Sequence, residues 1–126
     1  MPKNKKILLV EDDDSIREMY QIKFESSGIE VDVAKDGKEA LVKAIRIQPD
    51  LLLLDLRMPI IDGEIVLRKL QRFKWAQHMK VIVMSNISFS EAPTVLKNLK
   101  IDKYLVKAHH TPSQIIKEVR AILEDL

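Results

Sequence analysis

Short apolar runs alternate with amphipathic segments along the whole chain. Short apolar runs bounded by turn-forming residues are typical of strands, whereas apolar residues three and four positions apart are typical of helices. By these criteria a strand is followed by a helix five times. The predicted strands lie at residues 5–10, 29–34, 51–54, 81–84 and 103–106. The predicted helices lie at residues 15–26, 38–47, 64–73 and 90–99, and from 112 to near the end.

The run from Leu51 to Leu54 indicates the kind of sheet. Four consecutive leucines leave no polar face, so a strand here must be covered on both sides. Residues 29–34 instead alternate apolar and charged side chains, which is typical of a strand at or near a sheet edge. The pattern predicts an α/β fold with a doubly wound, five-stranded parallel sheet and helices on both faces.

The composition fits a single domain covering residues 1–126. Hydrophobic residues make up 46% of the chain and charged residues 32%, a balance typical of globular proteins. The net charge of +2 is too small to indicate direct binding to nucleic acid or to a membrane. The absence of cysteine excludes disulfides, and no apolar segment is long enough to span a bilayer. We therefore expect a soluble, cytoplasmic protein.

Polar residues stand at the carboxyl ends of four predicted strands: Glu11 and Asp12, then Asp55, Ser85 and Lys107. In an open parallel sheet these ends meet at one edge, where ligands bind. Three carboxylates there repel each other, and a hard cation such as Mg²⁺ relieves that repulsion. An ammonium group and a hydroxyl group suit the oxygens of a phosphoryl group. The set therefore points to phosphoryl transfer to a carboxylate.

Asp55 alone carries little weight, because an aspartate after a strand often only caps a loop. When the other polar strand ends are considered together with Asp55, the chain resembles a response-regulator receiver domain of two-component signalling, of the chemotaxis-regulator type. The resemblance implies a flavodoxin-like (βα)5 fold and runs from the first strand to the last helix. It is carried by residues 7–13, 49–63, 81–85 and 104–107.

The resemblance also implies a phosphorylation site. Asp55 would be the phosphoacceptor, taking a phosphoryl group from a phosphohistidine on a histidine kinase or a phosphotransfer protein. Asp12 and Asp55 would bind Mg²⁺ directly, Glu11 would reach it through water, and the backbone carbonyl of Arg57 would complete the protein ligands. No metabolic enzyme is implied, only Mg²⁺-dependent self-phosphorylation and slow loss of the phosphoryl group.

A signalling switch is implied by the same resemblance. Lys107 and Ser85 would contact the phosphoryl oxygens, and Tyr104 would turn inward when Ser85 moves. The signalling surface would comprise the predicted helix at residues 90–99, the strand that carries Tyr104 and the last helix. An unknown output protein would bind there, and the chain would be a monomer or a weak, phosphorylation-dependent dimer.

The sequence departs from the family pattern beside the site. Ala108 follows Lys107 where the family usually has a proline after a cis peptide bond. A cis bond before a residue other than proline costs about 2.5–4 kcal/mol, so both a trans bond and a strained loop stay open. Asn86 also stands where alanine or glycine is usual.

Two other functions share part of this pattern. A haloacid-dehalogenase-type phosphatase also uses an aspartyl phosphate, but it requires a second aspartate where this chain has Arg57. A pseudo-receiver would bind partners without phosphorylation, although such proteins tend to lose the acceptor or the metal-binding acids. Here Glu11, Asp12, Asp55 and Lys107 are all present.

Overall fold

The computed structural model describes residues 5–56, 63–86, 90, 96 and 98–125. Five strands form one parallel sheet: β1 (Ile7–Val10), β2 (Val31–Ala34), β3 (Leu51–Asp55), β4 (Lys80–Ser85) and β5 (Lys103–Val106). Their order across the sheet is β2-β1-β3-β4-β5. The strand order therefore reverses direction between β1 and β3, the kind of position where open α/β sheets bind ligands.

The described residues contain four α-helices: α1 (Asp14–Ser26), α2 (Gly37–Ile47), α3 (Gly63–Leu70) and α4 (Pro112–Glu124). Short 3-10 helices lie at Trp75–His78 and Lys107–His109. Among these residues, no helix is both long and apolar enough to cross a membrane.

The central strand β3 separates two hydrophobic layers. Leu51 and Leu53 lie in one layer with side chains of α1 and α4, such as Phe24. Leu52 and Leu54 lie in the other layer with side chains of α2 and α3. All four leucines are fully buried, because successive side chains of a strand point to opposite faces and both faces are covered.

Three α-helices begin at side-chain caps that the sequence specifies. The carboxylates of Asp13 and Asp36 accept backbone N–H groups in the first turns of α1 and α2. At the start of α4, Thr111 and Gln114 form a reciprocal capping box, followed by a proline that suits the first turn. These caps fix where the chain turns away from the sheet edge.

The predicted architecture is confirmed, with β3 at the centre and β2 at an edge. Some local predictions were wrong. The β2 strand begins at Val31 rather than at residue 29, and α3 ends at Leu70 rather than near residue 73. Helical periodicity in the predicted helix at residues 38–47 places Ile45 with Ala44 on the core side, but Ile45 is 44% exposed, because Ala40, Leu41 and Ala44 already cover this side of the sheet. The helix predicted at residues 90–99 lies mostly outside the described residues.

Burial of the leucine strand predicts a large difference between two comparable substitutions. Leu53→Ala should lower the free energy of unfolding by about 2–5 kcal/mol, because it removes buried methyl groups and leaves a cavity. Ile45→Ala, at the exposed position on α2, should change it by no more than about 0.5 kcal/mol. Urea denaturation of both variants measures the difference, and equal losses would contradict the two-layer core.

Candidate functional site

The predicted site residues converge at the carboxyl edge of the sheet. Asp55 is the last residue of β3 and pairs in register with Met84, the residue before Ser85. Ser85 pairs with Val106, the residue before Lys107. Glu11 directly follows β1, which pairs with β3. The parallel register thus brings residues distant in sequence to one edge.

Strand alternation accounts for the shared direction of the charged side chains. Leu9 and Leu53 lie in the layer beneath α1 and α4, and Glu11 and Asp55 each follow two positions later. Because the side-chain period of a strand is two, the carboxylates continue that face. Lys107 reaches the same place from the end of β5, as its contacts show.

The ammonium group of Lys107 lies between two carboxylates. Its Nζ atom donates to Oδ2 of Asp55 over 2.7 Å and to Oε1 of Glu11 over 3.0 Å. Glu11 and Asp55 are almost completely buried, being 1% and 5% exposed. Burial makes each charge costly unless it is paired, so the ammonium group holds the two acids together.

The acidic residues are suited to a hard cation. Carboxylate oxygens of Glu11, Asp12 and Asp55 all lie within 4.8 Å of one another. Two oxygens on opposite sides of a Mg²⁺ ion are about 4.2 Å apart, since each bond is about 2.1 Å long. Small side-chain adjustments would therefore bring the oxygens into a Mg²⁺ coordination sphere. With three acids and one ammonium group, a divalent cation would also balance the charge.

The surroundings shift the protonation of this cluster. Burial raises the pKa of the Glu11 carboxyl to about 7; the hydrogen bond from Lys107 opposes the rise, and the charge of Asp55 adds to it. Burial alone would lower the pKa of Lys107, but its hydrogen bonds and attraction to Asp55 and Glu11 raise it above its usual value. Lys107 is therefore a permanent cation at neutral pH, and Glu11 is poised to gain or lose a proton.

The remaining predicted positions have different surroundings. Ser85 is buried at the end of β4, whereas Asn86 is exposed. Tyr104 is half-buried and packs against the layer that contains Val83, its partner in register. Because Val83 and Ser85 are two positions apart, Ser85 and Tyr104 lie on the same face of the sheet. Arg57 lies outside the described residues.

The peptide bond between Lys107 and Ala108 is trans. The choice that the sequence left open between a cis and a trans bond is thereby decided. Ala108 lies in the short 3-10 helix that leads away from the site toward α4.

Gly63 belongs to an Asp-Gly pair, a sequence typical of turns, and it also makes a close tertiary contact. A Cβ atom at this position would lie 2.8 Å from Cα of Leu56 and 2.9 Å from the carbonyl oxygen of Asp55. Its amide N–H also donates to the carbonyl of Leu56 over 3.0 Å. Glycine therefore lets the start of α3 lie directly against the backbone of Asp55. The Asp-Gly pair at residues 62–63 indicates only a turn, because the need for glycine at residue 63 depends on this tertiary contact.

The comparisons with known proteins agree with this geometry. A family model described as the response regulator receiver domain matches residues 7–120. The alkaline phosphatase synthesis transcriptional regulatory protein PhoP of Bacillus subtilis is 40% identical over 121 residues, which are 95% of this chain and 49% of that protein.

Solved structures give the same result. The chemotaxis response regulator CheY4 of Vibrio cholerae matches with a TM-score of 0.84 and 26% identity, over 94% of this chain and 98% of that one. The receiver domain of the Francisella response regulator 1452 matches with a TM-score of 0.83 and 31% identity, over 97% of this chain and 98% of that one.

The chain belongs to the response regulator receiver domain family of two-component signalling. Receiver domains of this family work with histidine kinases. The comparisons give no support to the pseudo-receiver alternative. The chain spans about half the length of curated relatives that it matches, such as PhoP.

The raised pKa of Glu11 predicts a specific pH dependence of stability. Between pH 4.5 and about 7, the native state of the metal-free protein holds this proton while the unfolded state releases it. This group's contribution to the free energy of unfolding is therefore fully present below pH 4.5 and is lost as the pH rises through about 7, by at most about 1.4 kcal/mol per pH unit. Glu11→Gln should remove this downward slope in urea denaturation with a chelator present. An identical slope in both proteins would rule out Glu11 as its source.

The close approach at Gly63 predicts a loss of both stability and site geometry. Gly63→Ala should lower the free energy of unfolding by about 1–3 kcal/mol and slow phosphorylation, because the Asp55 backbone must move. Gly28→Ala is the matched control. Gly28 has a φ of +79° and open space around it, so that substitution should cost stability without slowing phosphorylation of the folded protein. Equal phosphorylation rates in both folded variants would contradict the proposed constraint.

Proposed function

We propose that this receiver domain takes a phosphoryl group from a histidine kinase or a phosphotransfer protein onto Asp55. The observation that carries the proposal is the bridge from Lys107 to Asp55 and Glu11. The Asp55 carboxylate is fixed beside a permanent cation, and further acids lie close enough to bind the same metal ion. Such a carboxylate can act as the nucleophile in phosphoryl transfer.

The transfer follows from the positions of these side chains. One oxygen of Asp55 attacks the phosphorus of an N-phosphohistidine on the partner. The new O–P bond forms as the P–N bond breaks, and the bonding electron pair returns to the imidazole nitrogen. Nζ of Lys107 is already 2.7 Å from Oδ2 of Asp55. Its ammonium group can therefore donate to a phosphoryl oxygen and stabilise the negative charge there. Transfer from a small acyl phosphate, and slow hydrolysis of the product, use the same groups.

Mg²⁺ is the cofactor that these acids suit. Glu11, Asp12 and Asp55 would hold it, and the Arg57 carbonyl, outside the described residues, completes the proposed ligands. When bound, Mg²⁺ neutralises the carboxylates and polarises the phosphoryl oxygens. Without a cation, the carboxylates would repel the negatively charged phosphoryl group.

Signalling would follow from the pairing of β4, which ends at Ser85, with β5, which carries Tyr104. Ser85 would donate its hydroxyl to a phosphoryl oxygen, and Tyr104 lies on the same face of the sheet, toward the opposite end of β5 from Lys107. Movement of Ser85 would let Tyr104 turn inward and change the surface formed by residues 90–99, β5 and α4. An output protein would read that surface in the cytoplasm, with the domain a monomer or a weak, phosphorylation-dependent dimer. This domain itself need contact neither nucleic acid nor a membrane.

Phosphorylation at Asp55 can be tested directly. Incubation with acetyl phosphate and Mg²⁺ should add the mass of one phosphoryl group, and Asp55→Asn should abolish the addition because the nucleophilic oxygen is lost. Asp32→Asn, which changes an exposed aspartate on the edge strand β2, should be labelled like the wild type. Intact-mass measurement reports both results. Labelling of Asp55→Asn to the wild-type extent would reject this acceptor, and a folded wild type that is never labelled would favour the pseudo-receiver.

A further inference from the structure

Arg17 binds the segment that carries two of the three acids. This segment, residues 11–14, comprises the connection between β1 and α1 and the first residue of α1, and is called the acidic loop below. Nη1 of Arg17 donates to the backbone carbonyl of Glu11 over 3.0 Å. Its Nη2 forms an ion pair with Asp14. The Arg17 side chain is only 16% exposed, whereas that of Asp14 is 83% exposed.

We propose that Arg17 is a positioning residue that holds the acidic loop in its metal-binding arrangement before the metal arrives. The inference rests on the proposed Mg²⁺ site. Because the carbonyl of Glu11 belongs to the peptide unit that leads into Asp12, anchoring that oxygen sets the direction of both metal-binding residues.

Electrostatic repulsion makes such an anchor necessary. Glu11, Asp12 and Asp55 converge within 4.8 Å, and in the metal-free protein Lys107 compensates only part of their charge. The repulsion favours movement of the acidic loop away from β3, because Asp55 itself is held within the sheet. A hydrogen bond from a charged donor to the loop backbone opposes that movement, and such bonds are stronger than neutral ones.

The geometry requires arginine rather than any cation. The two acceptors, a backbone carbonyl and a carboxylate three residues apart, are reached by two different nitrogens of one guanidinium group. Arginine presents these donors in a rigid fork, whereas lysine has a single ammonium group on a flexible chain. Arg17→Lys should therefore keep the charge while losing the simultaneous contacts.

The other contacts of the loop do not replace this one. Asp13 caps α1 through the N–H of Ile16, which fixes the helix start. The N–H of Asp13 also lies 3.4 Å from Oε2 of Glu11, a long contact. The N–H of Glu11 donates to the carbonyl of Ala34 over 3.0 Å, which holds the other side of this residue. None of these contacts reaches the carbonyl of Glu11, so loss of Arg17 should loosen the peptide unit between Glu11 and Asp12.

Four substitutions separate the contributions. Arg17→Met removes both contacts and the charge, and Arg17→Lys keeps the charge. Asp14→Asn weakens the ion pair but leaves the bond to the Glu11 carbonyl. Arg68→Met is the matched control, since Arg68 forms a comparable ion pair with Glu64 on α3, away from the acidic loop.

Two measurements decide the proposal. Titration of the metal-free protein with Mg²⁺ by calorimetry should give a dissociation constant about tenfold higher for Arg17→Met and several-fold higher for Arg17→Lys, as expected for loss of about one charge-assisted hydrogen bond. Amide hydrogen exchange with a chelator present should be faster at residues 12–14 in both variants. Asp14→Asn should show smaller effects, and Arg68→Met should match the wild type in both measurements.

Other results would contradict the role of Arg17 or the function on which it rests. If both Arg17 variants are folded and keep wild-type Mg²⁺ affinity and exchange at residues 12–14, the proposal is wrong. Lower melting temperatures with unchanged Mg²⁺ affinity of the folded protein would make Arg17 merely structural. A wild type that binds Mg²⁺ but is never phosphorylated would overturn the proposed function and leave the role of Arg17 intact. If the wild type binds no Mg²⁺, the metal assignment fails and the positioning role falls with it.

Discussion

The ammonium group of Lys107 between two buried carboxylates is the interaction on which the site depends. Asp55 and Glu11 would repel each other at the sheet edge, and burial would make their charges still more costly. Lys107 compensates part of that cost and leaves Glu11 with a pKa near neutrality. In the metal-free site the carboxylates therefore still repel each other, and a divalent cation would remove most of that repulsion.

The fold supplies the rigidity that this arrangement needs. Asp55 ends the central strand β3, which has covered faces and paired neighbours on both sides. Gly63 brings the start of α3 against its backbone, and we infer that Arg17 holds the acidic loop on the other side. The Asp55 backbone is thus fixed by packing, while Lys107 and the neighbouring acids set the charge around its carboxylate. A site built this way can change charge without losing its geometry.

The sequence was sufficient for the fold class and for the residues at the strand ends. The leucine run specified a covered central strand, and strand ends in a parallel sheet must meet at one edge. The sequence could not show that Lys107 bridges two carboxylates, because that depends on side-chain direction after β5. The exposure of Ile45 was also hidden, since helical periodicity does not tell which of several apolar side chains the neighbouring elements leave room for. Arg17 was missed because one of its acceptors is a backbone carbonyl, which leaves no trace in residue types.

The same balance of charges links stability to metal binding. Removing one acid should relieve repulsion in the metal-free protein and also remove part of the metal site. A residue that only supported the fold would do neither, so the two effects together identify an electrostatic cluster.

The melting temperature of Asp12→Asn with and without Mg²⁺ tests the central claim most directly. Without metal, the variant should melt at a higher temperature than the wild type, because one repelling charge is gone. With Mg²⁺, the wild type should gain the greater stabilisation, since binding to the native state alone raises stability. A variant that melts lower than the wild type without metal, or that gains as much from Mg²⁺, would contradict the account.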